Sequence, residues 1–116
     1  MSVRPILDAD LVRLTIPQLL ALYDAHAAAM EGYRAVQAQP RAEGKAYAII
    51  DALGDRCTGE MQRIADHVVT RSPADRTERE AKGELLVQWN LACGGWRDLV
   101  AAVRENFEPG LRGEVR

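Results

Sequence analysis

The chain has 116 residues, of which 47 % are hydrophobic, and a formal net charge of −2 at pH 7. This length favours a single domain with a core of its own, and the apolar content argues against disorder. A charge this close to zero provides no strong field for nucleic acid or for an anionic membrane surface, so neither is expected as a partner.

Targeting signals and cysteines bear on the compartment. Neither a signal-peptide pattern nor an apolar run of transmembrane length stands out in the sequence. We therefore expect a cytoplasmic protein that does not enter a membrane. Cys57 and Cys93 belong to no recognised motif, and in that compartment both are expected to be reduced and buried.

The first helix has a clear predicted start. Thr15 and Gln18 have the spacing of a capping box, and Pro17 fits the first turn of a helix. The helix is expected to end near Ala38, because Pro40 disfavours helical geometry at the residue before it. Apolar or nearly apolar residues recur at intervals of three and four, as on one face of a helix in a bundle: Ile16, Leu19, Tyr23, His26, Met30 and Tyr33.

A second helix is predicted from Pro40 to about Thr70. Its apolar stripe has the same spacing and consists of Ala46, Ile50, Leu53, Cys57, Met61, Ile64 and Val68. Gly54 and Gly59 lie inside this helix, and each costs about 1 kcal/mol relative to alanine. A break near Gly54 therefore stays open at this stage.

The third helix is predicted to begin at Ser72–Pro73. Ser72 would be the N-cap, Pro73 the first helical residue, and Asp75 would interact favourably with the helix dipole. The apolar stripe that follows consists of Leu85, Trp89, Ala92, Trp96, Leu99, Val103 and Phe107. Glu108–Pro109–Gly110 is expected to end the helix.

Two adjacent glycines, Gly94 and Gly95, interrupt this third stripe. Trp89 and Trp96 keep helical phase across them, which favours a continuous or kinked helix over a break. Two interior glycines cost roughly 2 kcal/mol, so something should offset them. Close helix packing is the expected reason, and the alternatives are an apolar ligand slot walled by the two indoles or a hinge.

These elements predict an all-α fold, an antiparallel bundle of three long helices, or of four if the chain breaks at Gly94–Gly95. The predicted organisation is an N-terminal arm (1–14), a helical bundle domain (15–107) and a C-terminal tail (108–116). Because the three helices differ in length, part of the third stripe would extend past its partners. A homodimer to which the third helices contribute would cover it.

Catalytic and metal-binding patterns are not found. Neither His26 nor His67 has a carboxylate, histidine or cysteine three or four residues away, so no metal or other cofactor is expected. Ser72 lacks the context of a nucleophile elbow, and no glycine-rich phosphate loop is present. Residues 73–82 carry equal numbers of acids and bases, unlike a DNA-recognition helix.

The sequence thus predicts a non-enzymatic protein–protein interaction or regulatory module that self-associates as a dimer and could dock another protein. The alternative is a small-molecule-binding helical protein with an apolar slot beside Gly94 and Gly95. The candidate interface or slot residues are Trp89, Gly94, Gly95, Trp96, Leu99, Val103, Phe107, His26 and Tyr23.

Overall fold

The computed structural model describes residues 8–93 and 96–106, without the side chains of residues 96–99 and 102. This part of the chain contains no strand. It forms five helices: α1 (Asp8–Val12), α2 (Ile16–Gln37), α3 (Gly44–Val69), α4 (Arg76–Cys93) and α5 (Trp96–Asn106). The three long helices α2, α3 and α4 pack against one another, which confirms the predicted all-α bundle.

Helix α2 begins with the predicted capping box. The backbone N–H of Gln18 donates to the Thr15 hydroxyl (3.2 Å), and the backbone N–H of Thr15 donates to the Gln18 side-chain oxygen (2.8 Å). The helix ends at Gln37 with Ala38 as its C-cap, as expected. Local chemistry alone therefore determines both ends of α2.

Helix α3 starts later than predicted but has no break. It begins at Gly44 rather than Pro40, and Gly44 has a φ of 59°, a left-handed conformation that favours glycine. The helix continues through Gly54 and Gly59. At Gly54 an added Cβ would lie 3.0 Å from Cζ of Arg34, so the glycine allows this guanidinium of α2 to approach the α3 backbone.

The predicted start of the third helix at Ser72 is wrong. Helix α4 begins at Arg76, and the Asp75 carboxylate accepts a hydrogen bond from the backbone N–H of Glu78 (2.8 Å). The Glu78 side chain in turn accepts one from the backbone N–H of Ala74 (2.8 Å). This reciprocal pair satisfies two free N–H groups at the helix start, which explains why it prevails over a single Ser72 cap.

The core lies at one end of the molecule, which we call the proximal end. It is built from α1, the first half of α2, the second half of α3, and α4. Its buried residues are Leu11, Ile16, Leu19, Tyr23, Met61, Ile64, Ala65, Val68, Ala81, Leu85 and Leu86. The Arg71 guanidinium donates to the backbone carbonyls of Leu11 and Leu14, and Lys82 donates to the backbone carbonyl of Arg71 (2.8 Å). These contacts tie α1 and α4 to the end of α3.

Residues 24–53, which we call the distal hairpin, are the second half of α2, the first half of α3 and their connection. They form the opposite end of an elongated molecule with dimensions of 61 × 31 × 17 Å. The radius of gyration is 16.8 Å, whereas a compact chain of this length has about 13 Å. The distal hairpin therefore projects from the bundle.

The predicted continuous helix over residues 85–107 is wrong, and the alternative with a separate helix is correct. Ala101 and Glu105 of α5 line the same cleft as Leu86 and Asn90 of α4. On one straight helix, Glu105 would lie roughly 22 Å beyond Asn90. Helix α5 therefore lies back against α4. Periodicity did not reveal this, because Trp89 and Trp96 stay in phase whether or not the helix continues between them.

Candidate functional site

The structure brings together two of the predicted candidate residues, Tyr23 of α2 and Trp89 of α4. Their ring centroids lie 6.5 Å apart and their planes form an angle of 89°, an edge-to-face contact. Tyr23 is only 1 % exposed. Burial raises the pKa of Tyr23 to about 12, with smaller contributions from the Cys93 thiol and Asp24. Tyr23 is thus part of the core, and Trp89 is a partly buried residue that packs against it.

The other candidates are separated or lie outside the described residues. Val103 is half-buried on α5. Trp96 and Leu99 lie in α5, where only their backbone is described. The residues that lie outside the description are Gly94, Gly95 and Phe107. Since α5 lies back against α4, residues 85–107 do not form the single long helix from which the dimer interface was predicted; the interface itself stays a prediction.

His26 lies where the apolar stripe of α2 passes from the core to the distal hairpin. It follows the buried Leu19 by one heptad and precedes the half-buried Tyr33 by one heptad. The side chain is half-buried, and its Nε2 atom is buried without a hydrogen-bond partner among the described residues. This nitrogen is the kind of unsatisfied group that calls for a physical explanation.

The stripe of α3 shows the same transition. Cys57, Met61, Ile64 and Val68 are buried, whereas Ile50 and Leu53 are half-buried and Ala46 is exposed. Beside them, Ile49 is 62 % exposed, and Val36 of α2 is 37 % exposed. The apolar stripe is therefore continuous along α3, but the other residues in the described part of the chain cover only its proximal half.

We call the uncovered continuation of both stripes the distal face. Within each helix most neighbouring members lie three or four residues apart, and the set continues the side of α2 and α3 on which Leu19 and Cys57 are buried. The face consists of His26, Ala29, Tyr33 and Val36 of α2 and Ala46, Ile49, Ile50 and Leu53 of α3. No aspartate, glutamate, lysine or arginine is among them. A charge-free apolar patch of this kind is characteristic of an interaction surface.

A polar clamp, which the sequence analysis did not predict, joins the two helices of the hairpin. Arg34 binds Asp51 (2.8 Å) and Asp55 (3.2 Å) through its guanidinium nitrogens, and the Gln37 amide donates to Asp51 (3.2 Å). The pKa of Asp51 lies below its usual 3.8. The hydrogen bond from Gln37 is the largest cause, and the hydrogen bond from Arg34 is the next. The acids four residues apart on α3 were a sequence signal for this clamp. The clamp pairs the charges of Asp51 and Asp55 with that of Arg34 within the chain.

A cleft of about 290 Å³ lies between α3, α4 and α5. It is the place where the described structure comes nearest to the predicted ligand slot. Its lining consists of Ala65, Asp66, Val69, Leu86, Trp89, Asn90, Ala101 and Glu105. Two of these side chains are carboxylates, so the cleft is more polar than the apolar slot that the sequence predicted.

Metal and thiol chemistry receive no support from the described part of the chain. Within residues 8–93 and 96–106, no group of three or more histidine, cysteine or acidic side chains is arranged to hold a metal ion. Both cysteines are free thiols; Cys57 is buried, but Cys93 is exposed at the end of α4. The prediction of burial is therefore wrong for Cys93, which is not a member of the apolar stripe. None of the described helices has the length and apolar character needed to cross a membrane.

No protein-family model, no curated protein and no solved structure matches this chain. Its function must therefore be inferred from the physical properties of the distal face, the cleft and the residues around them.

Proposed function

We propose that the protein is a self-associating helical interaction module in which two copies dock distal face to distal face. The observation that carries this proposal is the half-covered stripe: α2 and α3 present one continuous apolar face, and residues 8–93 and 96–106 bury only its proximal part. Exposed apolar residues such as Ile49 are costly to leave in water when they are contiguous. A second copy would cover the remaining part.

The geometry of the hairpin suits a copy of itself. Two antiparallel helices that meet another such pair form a four-helix bundle, in which side chains spaced by three and four residues interdigitate. In a two-fold dimer each face meets its own counterpart, so a charged face would repel itself. The distal face carries no formally charged residue, and the neighbouring Asp51 and Asp55 are already paired with Arg34.

The size of the distal face sets the expected affinity. Within the distal hairpin α2 contributes about 14 residues (24–37) and α3 about 10 (44–53), which span about 21 Å and about 15 Å, and a packed helix pair is about 20 Å wide. The resulting footprint of roughly 350 Å² per copy is smaller than that of a stable specific interface and has the size of a weak, transient contact. We therefore expect a reversible dimer with a dissociation constant in the micromolar range.

Sedimentation velocity between about 1 and about 200 µM tests this proposal. The wild type should pass from the 12.8 kDa monomer to a species of twice that mass as the concentration rises. Ile49→Glu should abolish the dimer, because it places a charge in the interface. Leu91→Glu is the matched control: Leu91 is 65 % exposed, about as much as Ile49 at 62 %, but it lies on α4, outside the distal face.

Two results would contradict the proposal: a wild type that stays monomeric at the highest concentration, or an Ile49→Glu variant that dimerises as the wild type does. Circular dichroism of both variants would check that the helices are retained.

Small-molecule binding, the alternative function, has weaker support. It would use the cleft beside Trp89, whose indole already packs edge-on against Tyr23. Asp66 and Glu105 also place carboxylates in its lining, and an uncharged apolar ligand would have to desolvate them. Self-association is therefore the function that the geometry supports best.

A further inference from the structure

We infer that protonation of His26 releases the dimer, so that self-association depends on pH; this inference rests on the proposed function. The structural basis is the position of the imidazole at the proximal edge of the distal face. Its Nε2 atom is buried and has no hydrogen-bond partner among the described residues. The rest of the side chain is half-buried in the single chain, and a second copy on the distal face would cover it further.

The two protonation states of the imidazole suit different assemblies. A neutral imidazole carries no formal charge and one N–H donor, so its burial among apolar side chains costs less than that of the charged form. An imidazolium carries a full charge and two N–H donors, and burial without a partner is costly for it. In the monomer, the half-buried residue keeps part of its surface in water. In the dimer the second copy removes that water, so proton binding and dimerisation oppose each other.

Among the described residues no ion pair joins His26 to a carboxylate, and Asp24 of α2 and Asp66 of α3 are exposed to water. On α2, the residues three and four positions away are Leu22, Tyr23, Ala29 and Met30, and the one titratable group, Tyr23, stays neutral because its pKa is raised to about 12. On α3, Asp51 and Asp55 form ion pairs with Arg34. Glu60 forms an ion pair with Arg63. From Leu85 to Cys93, α4 carries no charged residue, and its titratable group there is the Cys93 thiol.

His67, the other histidine of the chain, provides the internal control. Its Nε2 atom lies 3.6 Å from a carboxylate oxygen of Asp8, at the proximal end. His67 therefore has a neighbouring carboxylate, which also binds Arg63, and lies away from the distal face. Acid should thus affect the dimer through His26 and not through His67.

The test is the dissociation constant of the dimer, measured by sedimentation velocity at about pH 7.5 and about pH 5.5. For the wild type we expect a constant at least about tenfold larger at the lower pH. His26→Gln should form a dimer whose constant changes little with pH. His67→Gln should keep the response of the wild type.

The outcomes separate the two proposals. A wild-type dimer with the same constant at both pH values, or a pH response that His67→Gln removes, would overturn the role of His26 and leave the dimer intact. A wild type that is monomeric at both pH values would instead refute the proposed self-association. If His26→Gln fails to fold, His26→Asn serves as a second neutral variant, with circular dichroism as the check on folding.

Discussion

The proximal and distal halves of α3 have the same apolar spacing but different surroundings. Ile64 and Val68 in the proximal half are fully buried against the other helices, whereas Ile50 and Leu53 in the distal half are only half-buried and Ala46 is exposed. The difference shows that hydrophobic periodicity identifies the face of a helix that prefers to be covered. It does not identify what covers that face, or whether the same chain does so.

Polar contacts also differ between the two ends. At the proximal end, Arg71 and Lys82 donate to backbone carbonyls and hold covering elements in place. In the distal hairpin, Arg34 joins side chains of the two helices directly. The proximal contacts thus complete a core, while the distal clamp only holds two helices side by side with one face open.

The largest expected contrast comes from removing one apolar side chain at each end. Ile64→Ala should lower the free energy of unfolding by about 2–5 kcal/mol, because it leaves a cavity in the core. Ile49→Ala should change it by about 0.5 kcal/mol or less in the monomer, because that side chain is 62 % exposed. Urea unfolding at low protein concentration measures both. Equal losses would show that the two halves are covered alike.

A second contrast uses alkaline pH and two tyrosines. Burial raises the pKa of Tyr23 from 10.0 to about 12, so the fold favours its neutral form. The stability that this provides is complete below pH 10 and is lost as the pH rises from 10 towards 12. Tyr23→Phe should weaken the alkaline loss of stability, and the exposed distal Tyr47→Phe should not. The urea midpoint as a function of pH is the measurement, and identical curves for both variants would contradict it.

The smallest expected effect is on the acid stability of the protein, and it comes from Asp51 in the distal hairpin and Asp8 at the proximal end. The Gln37 hydrogen bond and Arg34 lower the pKa of Asp51, and hydrogen bonding to Arg63 is the largest cause that lowers that of Asp8. A lowered carboxyl pKa contributes stability above about pH 4 that is lost as the pH falls through the folded-state value. Asp51→Asn and Asp8→Asn should each make the acid loss slightly shallower, because both groups are exposed to screening. A steeper acid loss in either variant would contradict this account.

Predictions that depended on neighbouring residues in the sequence were the more successful ones. The Thr15–Gln18 capping box and the end of α2 followed from local chemistry. The start of α4 did not, because Asp75 and Ser72 are both good caps and only the reciprocal bonds with Glu78 distinguish them. The Arg34 clamp was missed because it joins two helices, and their register was not known from the sequence.

The sequence by itself determined the helical class, the capping of α2 and the faces of α2 and α3 that avoid water, since these follow from bonds and spacings within a few residues. The tertiary structure alone decided that α5 lies back against α4, that Tyr23 meets Trp89, and that α3 is covered over only half its length. The physical reason is that the burial of a helix face depends on which other segments of the chain pack against it. An apolar stripe with a period of 3.6 residues carries no information about those segments.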